Sequence, residues 1–267
     1  MPLLRLLAGL LPALFTAAAQ ASAVPADYST FVSVGVDGSG FKSSSGFGQI
    51  SLDGAIGVAT AQSGTGPAPF VSTEVTSSSG SDSVFARGNA QLLYYFKVVG
   101  PASSVPIPVL MTAQGSIDLL GTRVMGFAHY TVGVFGNVLF DERLCASFEA
   151  NGPDNLPCNT TTSFEWQHDQ TSFGALVDQD FYVALTVLAW AAEGGHAQAA
   201  IDPVFEIDLG FADAGLYQIV FSPGITQTLP DDDDGGGGGQ TTVAEPPAPA
   251  LLALALLPLL ATARRRR

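Results

Sequence analysis

Cationic side chains are scarce in this chain, which carries 10 Lys and Arg against 24 Asp and Glu and a formal net charge of −14 with His neutral. Arg5 and the terminal Arg264, Arg265, Arg266 and Arg267 take a large share of that small basic complement. The stretch between them is nearly bare of positive charge. A surface of this sign repels phosphate backbones, which excludes nucleic acid as a partner. Its plain consequence is solubility outside the cell.

Histidine and cysteine are equally thin, at 3 and 2 residues. No HxxxH or CxxC spacing, no Gly-x-Ser-x-Gly elbow and no Gly-x-x-x-x-Gly-Lys loop occurs, so the common metal, hydrolase and phosphate-binding signatures are missing. His129 lies in a strand pattern, His168 in a polar loop beside Asp169, and His196 at a turn. Ser43, Ser44 and Ser45, like Ser77, Ser78 and Ser79, are loop composition with no base in view. The sequence therefore predicts no catalytic residue, no metal and no cofactor. Asp178 with Asp180, and Asp202 with Glu206 and Asp208, lack the spacing of a calcium loop and read as solvated strand faces.

Long apolar runs are confined to the two ends. Residues 1–23 carry one charge at Arg5, an apolar run over 6–19 and the small residues Ala21-Ser22-Ala23. This pattern predicts a secretory signal helix, cut by signal peptidase between Ala23 and Val24. At the other end, 229–243 is a flexible Asp/Gly linker and 244–267 reads as a sorting tail. Its apolar block, 250–263, forms a helix of roughly 21 Å at about 1.5 Å per residue. That falls short of a bilayer core of about 30 Å, and Pro258 interrupts it. The expected anchor is weak and transient, halted on the cytoplasmic side by Arg264, Arg265, Arg266 and Arg267.

Glu245-Pro246, an Ala/Leu-rich block and a terminal arginine cluster resemble the PEP-CTERM sorting signal of Gram-negative bacteria, with Ala244 standing where that family has its first proline. The resemblance implies recognition near Glu245 and Pro246 by an exosortase-like processing enzyme, after transient insertion in the inner membrane. The body also resembles exported PEP-CTERM proteins of undefined activity, through Tyr94-Tyr95-Phe96-Lys97-Val98-Val99-Gly100-Pro101, Ala200-Ile201-Asp202-Pro203-Val204-Phe205-Glu206-Ile207-Asp208 and Phe221-Ser222-Pro223-Gly224-Ile225. That resemblance covers about the last two thirds of the body. It implies a surface or matrix protein linked with exopolysaccharide.

Residues 24–228 form one domain rich in Gly, Ser, Thr, Val and Phe, which predicts an all-β class. Over 84–99, Val84, Ala86, Ala90, Leu92, Tyr94, Phe96 and Val98 share one face, expected to be the core, while Arg87, Asn89, Gln91, Tyr95 and Lys97 share the other. Gly88 falls on the inner set and marks a bend or bulge. Gly194 and Gly195 predict a hairpin joining 181–192 to 197–201, with Trp190 opposite Ala199, Leu188 opposite Ile201 and Glu193 opposite His196; the first two pairs share the core face, with Trp190 buried above its small partner, and Glu193 and His196 take the wetter one. A turn is expected at Asp202-Pro203, followed by Phe205, Ile207 and Leu209 facing inward. Further strands are expected at 31–36, 47–60, 70–76, 113–120, 123–140, 144–149 and 217–221. Together these predict a β-sandwich with jelly-roll connections, a closed barrel being the alternative.

Cys145 and Cys158 flank a run of turn residues, and an even cysteine count behind an export signal predicts one disulfide. The expected role is structural or adhesive, in the cell envelope or an exopolysaccharide matrix. A carbohydrate-binding module is the second reading, with Trp166 as the ring that contacts sugar. A secreted hydrolase is the third.

Overall fold

The computed structural model describes residues 25–227 apart from 67, 79, 81–83, 148–157 and 159–162, with only the backbone of 168 and 169. In chain order its strands are β1 (Ser29–Val36), β2 (Gly40–Ser44), β3 (Gly48–Gly54), β4 (Gly57–Gly64), β5 (Phe70–Ser77), β6 (Phe85–Val99) and β7 (Ile107–Leu120). There follow β8 (Val124–Val134), β9 (Asn137–Ser147), β10 (Phe164–Ala175), β11 (Phe181–Ala192), β12 (His196–Ile207) and β13 (Gln218–Phe221). They form a seven-stranded sheet in the order β2-β1-β6-β11-β8-β9, with β13 also paired to β6, and a six-stranded sheet in the order β10-β7-β12-β5-β4-β3. From β5 to β12 the chain divides into β5-β12-β7-β10 in one sheet and β6-β11-β8-β9 in the other. Pairing within each sheet is antiparallel.

The long alternation of β6 places Ala86, Ala90, Leu92, Tyr94, Phe96 and Val98 in the core between the sheets. Strand β11 alternates alongside it with Phe181, Val183, Leu185, Val187, Ala189 and Ala191. The core is graded. At the start of β6, Ala86 and Gly88 stand opposite Ala191 and Ala189 in the same sheet, and Ala59, Ala61, Ala197 and Ala199 bring further small residues to the core from the other. At its end Phe96 meets Phe173, Phe181, Phe205 and Phe221. Small residues suit a close approach of the sheets at one end, and rings supply the packing volume at the other.

Gly88 is not a bulge. It keeps register with both Val34 and Ala189, and a Cβ there would fall on Thr73 Oγ1 of the opposite sheet and 3.1 Å from the Thr60 carbonyl oxygen. The glycine serves close approach.

The expected β11–β12 hairpin does not form. Strand β11 pairs with β6 and β8, and β12 with β5 and β7, so both edges of each are occupied and the turn carries the chain across the core. Glu193 bonds to Thr122 and Arg123 instead of His196, and His196 meets Thr76 and Glu74. Trp190 is indeed buried, at 6 % exposure, yet on the outer face of the first sheet, with Met125, Ala192, Phe85, Leu188 and the two cysteines.

Other expectations are also revised. Asp202-Pro203 is not a turn; β12 runs straight through it. Pairing with β5 stops at Ile201, so Pro203 sits where β12 is paired on one side only. Phe205 faces inward, but Leu209 is 84 % exposed. The stretch 123–140 is two strands joined at Phe135-Gly136, and 47–60 is two strands joined at Ala55-Ile56. Strands β2 and β10 were not expected, and His168 lies in β10 rather than a loop.

The ends of the body are fastened together by Ser222. Its Oγ accepts from Tyr95 N at 2.8 Å and donates to the Ala26 carbonyl at 2.6 Å, tying β6, β13 and the segment before β1.

Candidate functional site

The predicted tail residues Glu245, Pro246, Arg264, Arg265, Arg266 and Arg267, and the cleavage pair Ala23 and Val24, lie outside the described residues. No helix among the described residues is long and apolar enough to cross a membrane, and the apolar block 250–263 lies outside them. Cys145 and Cys158 are bonded, with Cα atoms 4.8 Å apart. Cys145 stands opposite Phe127 in the β8–β9 pairing, which places the disulfide on the outer face of the first sheet.

Trp166 stands on β10 opposite Gly115 of β7, and its ring packs against Tyr130 at a centroid distance of 5.7 Å. It is half-buried against the main core. A Cβ on Gly115 would lie 3.4 Å from the Trp166 ring, so the missing side chain makes room for the indole. The neighbours of Trp166, Glu165 and Gln167 on the other face of β10, line an open groove of about 540 Å³ on the second sheet together with Phe70, Gln114, Asp202 and Trp166 itself. Amides, carboxylates and a phenyl ring thus converge from β5, β7, β10 and β12, strands far apart in the sequence.

Within this groove, burial pushes the Asp202 carboxyl above its ordinary range, opposed by Gln114, whose Nε2 donates to Asp202 Oδ2 at 3.0 Å. The Tyr94 hydroxyl is fully buried without a partner, and its pKa is pushed up by burial first and then by the charge of Asp202. A raised carboxyl pKa means that the folded state binds the proton more tightly than the unfolded state. The contribution of Asp202 is therefore most favourable below the unfolded value of about 3.9 and declines as pH rises through the folded one. Asp202→Asn should accordingly be more stable than the parent at pH 7 and level with it near pH 3, as read from urea midpoints at the two pH values. A lower midpoint for the variant at pH 7 would contradict the assignment.

His129, Thr131 and Asp141 form a second polar cluster, on the outer face of the β8–β9 pair. His129 Nε2 lies 2.6 Å from Asp141 Oδ1, and Thr131 Oγ1 is 3.1 Å from that same oxygen and 3.3 Å from His129 Nε2. A hydrolytic relay needs the carboxylate and the nucleophile on opposite ring nitrogens. Here both meet one nitrogen, and the arrangement works as a cross-strand tie. The hydrogen bond to His129, ahead of smaller contributions from Thr131 and Arg143, holds the Asp141 carboxyl below its ordinary range.

The carboxylates weighed for calcium are separately engaged: Asp180 with Lys97 at 3.1 Å, Glu206 with Gln170 at 2.7 Å, and Asp208 with Gly210 N at 2.8 Å. Asp178 adopts a left-handed turn at φ 63°. Among the described residues no three His, Cys, Asp or Glu side chains gather to hold a metal ion.

No protein-family model matches the chain, and no curated protein matches it. Among solved structures, one described as the structure of infectious bursal disease virus Gx strain aligns at 9 % identity and a TM-score of 0.24. The alignment covers 73 % of this chain and 55 % of that one.

Proposed function

We propose that this is an exported envelope or matrix protein of structural or adhesive role. A signal over 1–23 sends it out, and an exosortase-like enzyme processes its tail near Glu245 and Pro246. In this reading the body is a jelly roll, since the interleaved order of β5 to β12 is that of two sheets wound by a doubled-back chain. The observation that carries the proposal is the Cys145–Cys158 bond, because such bonds persist in oxidising compartments and are rare in the cytosol of mesophiles. The sequence at both ends points to the same destination.

Mass spectrometry of the native secreted product tests it. The expected product begins at Val24, ends near Glu245, lacks Arg264, Arg265, Arg266 and Arg267, and has a mass lower by the two hydrogens of the disulfide. A cytosolic product that keeps its terminal arginines and two free thiols would overturn the reading.

A second reading, carbohydrate binding, is favoured by the groove beside Trp166, where Gln114, Gln167 and Asp202 offer hydrogen bonds next to Phe70. A glycan array probed with the full chain should lose its signal in a Gln114→Ala/Gln167→Ala variant if this groove is the contact.

A further inference from the structure

We propose that the outer face of the first sheet holds a binding site for a carboxylated pyranose, a uronate residue, with its carboxylate on Arg87 and its ring against Phe31 and Phe41. This inference concerns the opposite sheet from the Trp166 groove and does not depend on export.

The site is built by register. Phe41 on β2 stands opposite Gly35 on β1, Gly35 opposite Arg87 on β6, and Arg87 opposite Trp190 on β11. In the next row Ser33 stands opposite Asn89, and Asn89 opposite Leu188. All of these but Gly35, with Phe31 and Phe85, line a pocket of about 470 Å³, within the range of small-molecule sites. Gly35 creates its shape, because a Cβ there would lie 3.3 Å from Arg87 Nε and 3.6 Å from Phe41 Cδ2. Without that side chain, Arg87 lies across β1 with its guanidinium 6.0 Å from the centre of the Phe41 ring.

Three features select the ligand. The first is charge. Of the described arginines, Arg123 and Arg143 face carboxylates, whereas Arg87 has an aromatic ring as its neighbour and no carboxylate partner among the described residues. In a chain with 24 acidic side chains against 10 basic ones, a guanidinium left without an acidic partner is available to an external one, and its planar fork suits a carboxylate. A single cation balances one negative charge, so multiply charged phosphates fit the acidic chain less well than a monoanion.

The second feature is the wall. Phe31 and Phe41 are 40 % and 57 % exposed, large rings held in the open where strand pairing fixes their positions. A flat aliphatic C–H face, such as a pyranose presents, covers such rings while its hydroxyls stay wet. The third is polarity. Asn89 and Trp190 both line the pocket, and each keeps a buried polar atom, Asn89 Oδ1 and Trp190 Nε1, without a hydrogen-bond partner among the described residues. Such atoms are rare, and two in neighbouring rows beneath one pocket leave hydrogen-bonding capacity that a small side-chain shift would offer to a polar ligand.

Calorimetric titration of the full-length protein with D-glucuronate tests the proposal. Saturable binding is expected, at least tenfold tighter than for glucose or acetate, since neither supplies both the charge and the ring. Arg87→Ala should weaken it at least tenfold, Arg87→Lys less, and Phe41→Ala should weaken it with the charge intact. Both side chains are exposed, so unchanged melting temperatures are expected to accompany these losses. Tighter binding of tetragalacturonate than of the monosaccharide assigns the site to a polymer, and equal affinity assigns it to the free sugar; either result requires Arg87. Absence of saturation, affinity no higher than for glucose or acetate, or full binding by Arg87→Ala overturns the proposal.

Discussion

Phe96→Ala should lower the unfolding free energy by about 3–5 kcal/mol, the range for emptying a buried aromatic position. The ring is fully buried and reaches more of the structure than its neighbours do. It stacks on Phe181 of β11 at 5.0 Å, with the planes 9° apart, and lies 6.1 Å from Phe221 of β13, its own register partner. Across the core it meets Phe205 of β12 at 4.7 Å and Phe173 of β10 at 6.5 Å. One side chain thus joins three strands of one sheet to two of the other. A domain typically has about 5–15 kcal/mol in total, so the loss is a large share of its stability, equivalent to roughly 10 °C or more in melting temperature. Guanidinium denaturation should show the midpoint falling with little change in slope. Phe135→Ala is the internal comparison. That ring sits fully exposed at the β8–β9 turn, and its removal should shift stability by no more than about 0.5 kcal/mol.

The contrast between these two phenylalanines shows where sequence reading succeeds. Phe96 belongs to a strand long enough for its period of two to declare a buried face, and the set from Ala86 to Val98 could be read without coordinates. Strand β11 carries apolar residues on both faces, as Leu188, Trp190 and Ala192 back onto a second, outer cluster. Alternation alone cannot say which face meets the main core, and Trp190 was expected on the wrong one. The Gly194-Gly195 turn has the same ambiguity. A tight turn with Glu193 at φ 51° and Gly194 at φ 76° serves a hairpin within one sheet or a passage between two, and the choice depends on which edges other strands have already filled.

Strand β10 was hidden for a different reason. Its exposed face carries Glu165 and Gln167, and its register with β7 shifts between His168 and Thr171, so a single period does not run through it. The Arg87 pocket was less legible still. Phe31, Phe41, Arg87 and Trp190 come from four strands, and only pairing brings them into one place. Arg87 could be assigned to an exposed face from the alternation of β6. Nothing local indicated that Gly35 would leave the space beside it open.

Removing the disulfide, by Cys145→Ser with Cys158→Ser or by reduction, should cost about 3 kcal/mol in the chain-entropy account of a loop of this size, for a separation of 13 residues. The loss should differ in kind from that at Phe96. The bridge lies outside the main core, against Met125, Trp190 and Ala192, so the two-sheet body keeps its own packing when the bridge is gone. What is lost in the native state is cover over Trp190. In a Trp166→Phe background, which leaves Trp190 as the single tryptophan, emission should move to longer wavelength on reduction while far-ultraviolet circular dichroism stays unchanged. The urea midpoint should fall in the same sample. A midpoint shift with no change in emission would mean that the bridge acts on the unfolded chain alone. An emission shift together with loss of the β-sheet signal would mean that the outer cluster is needed to hold β8 and β9 to the rest of their sheet.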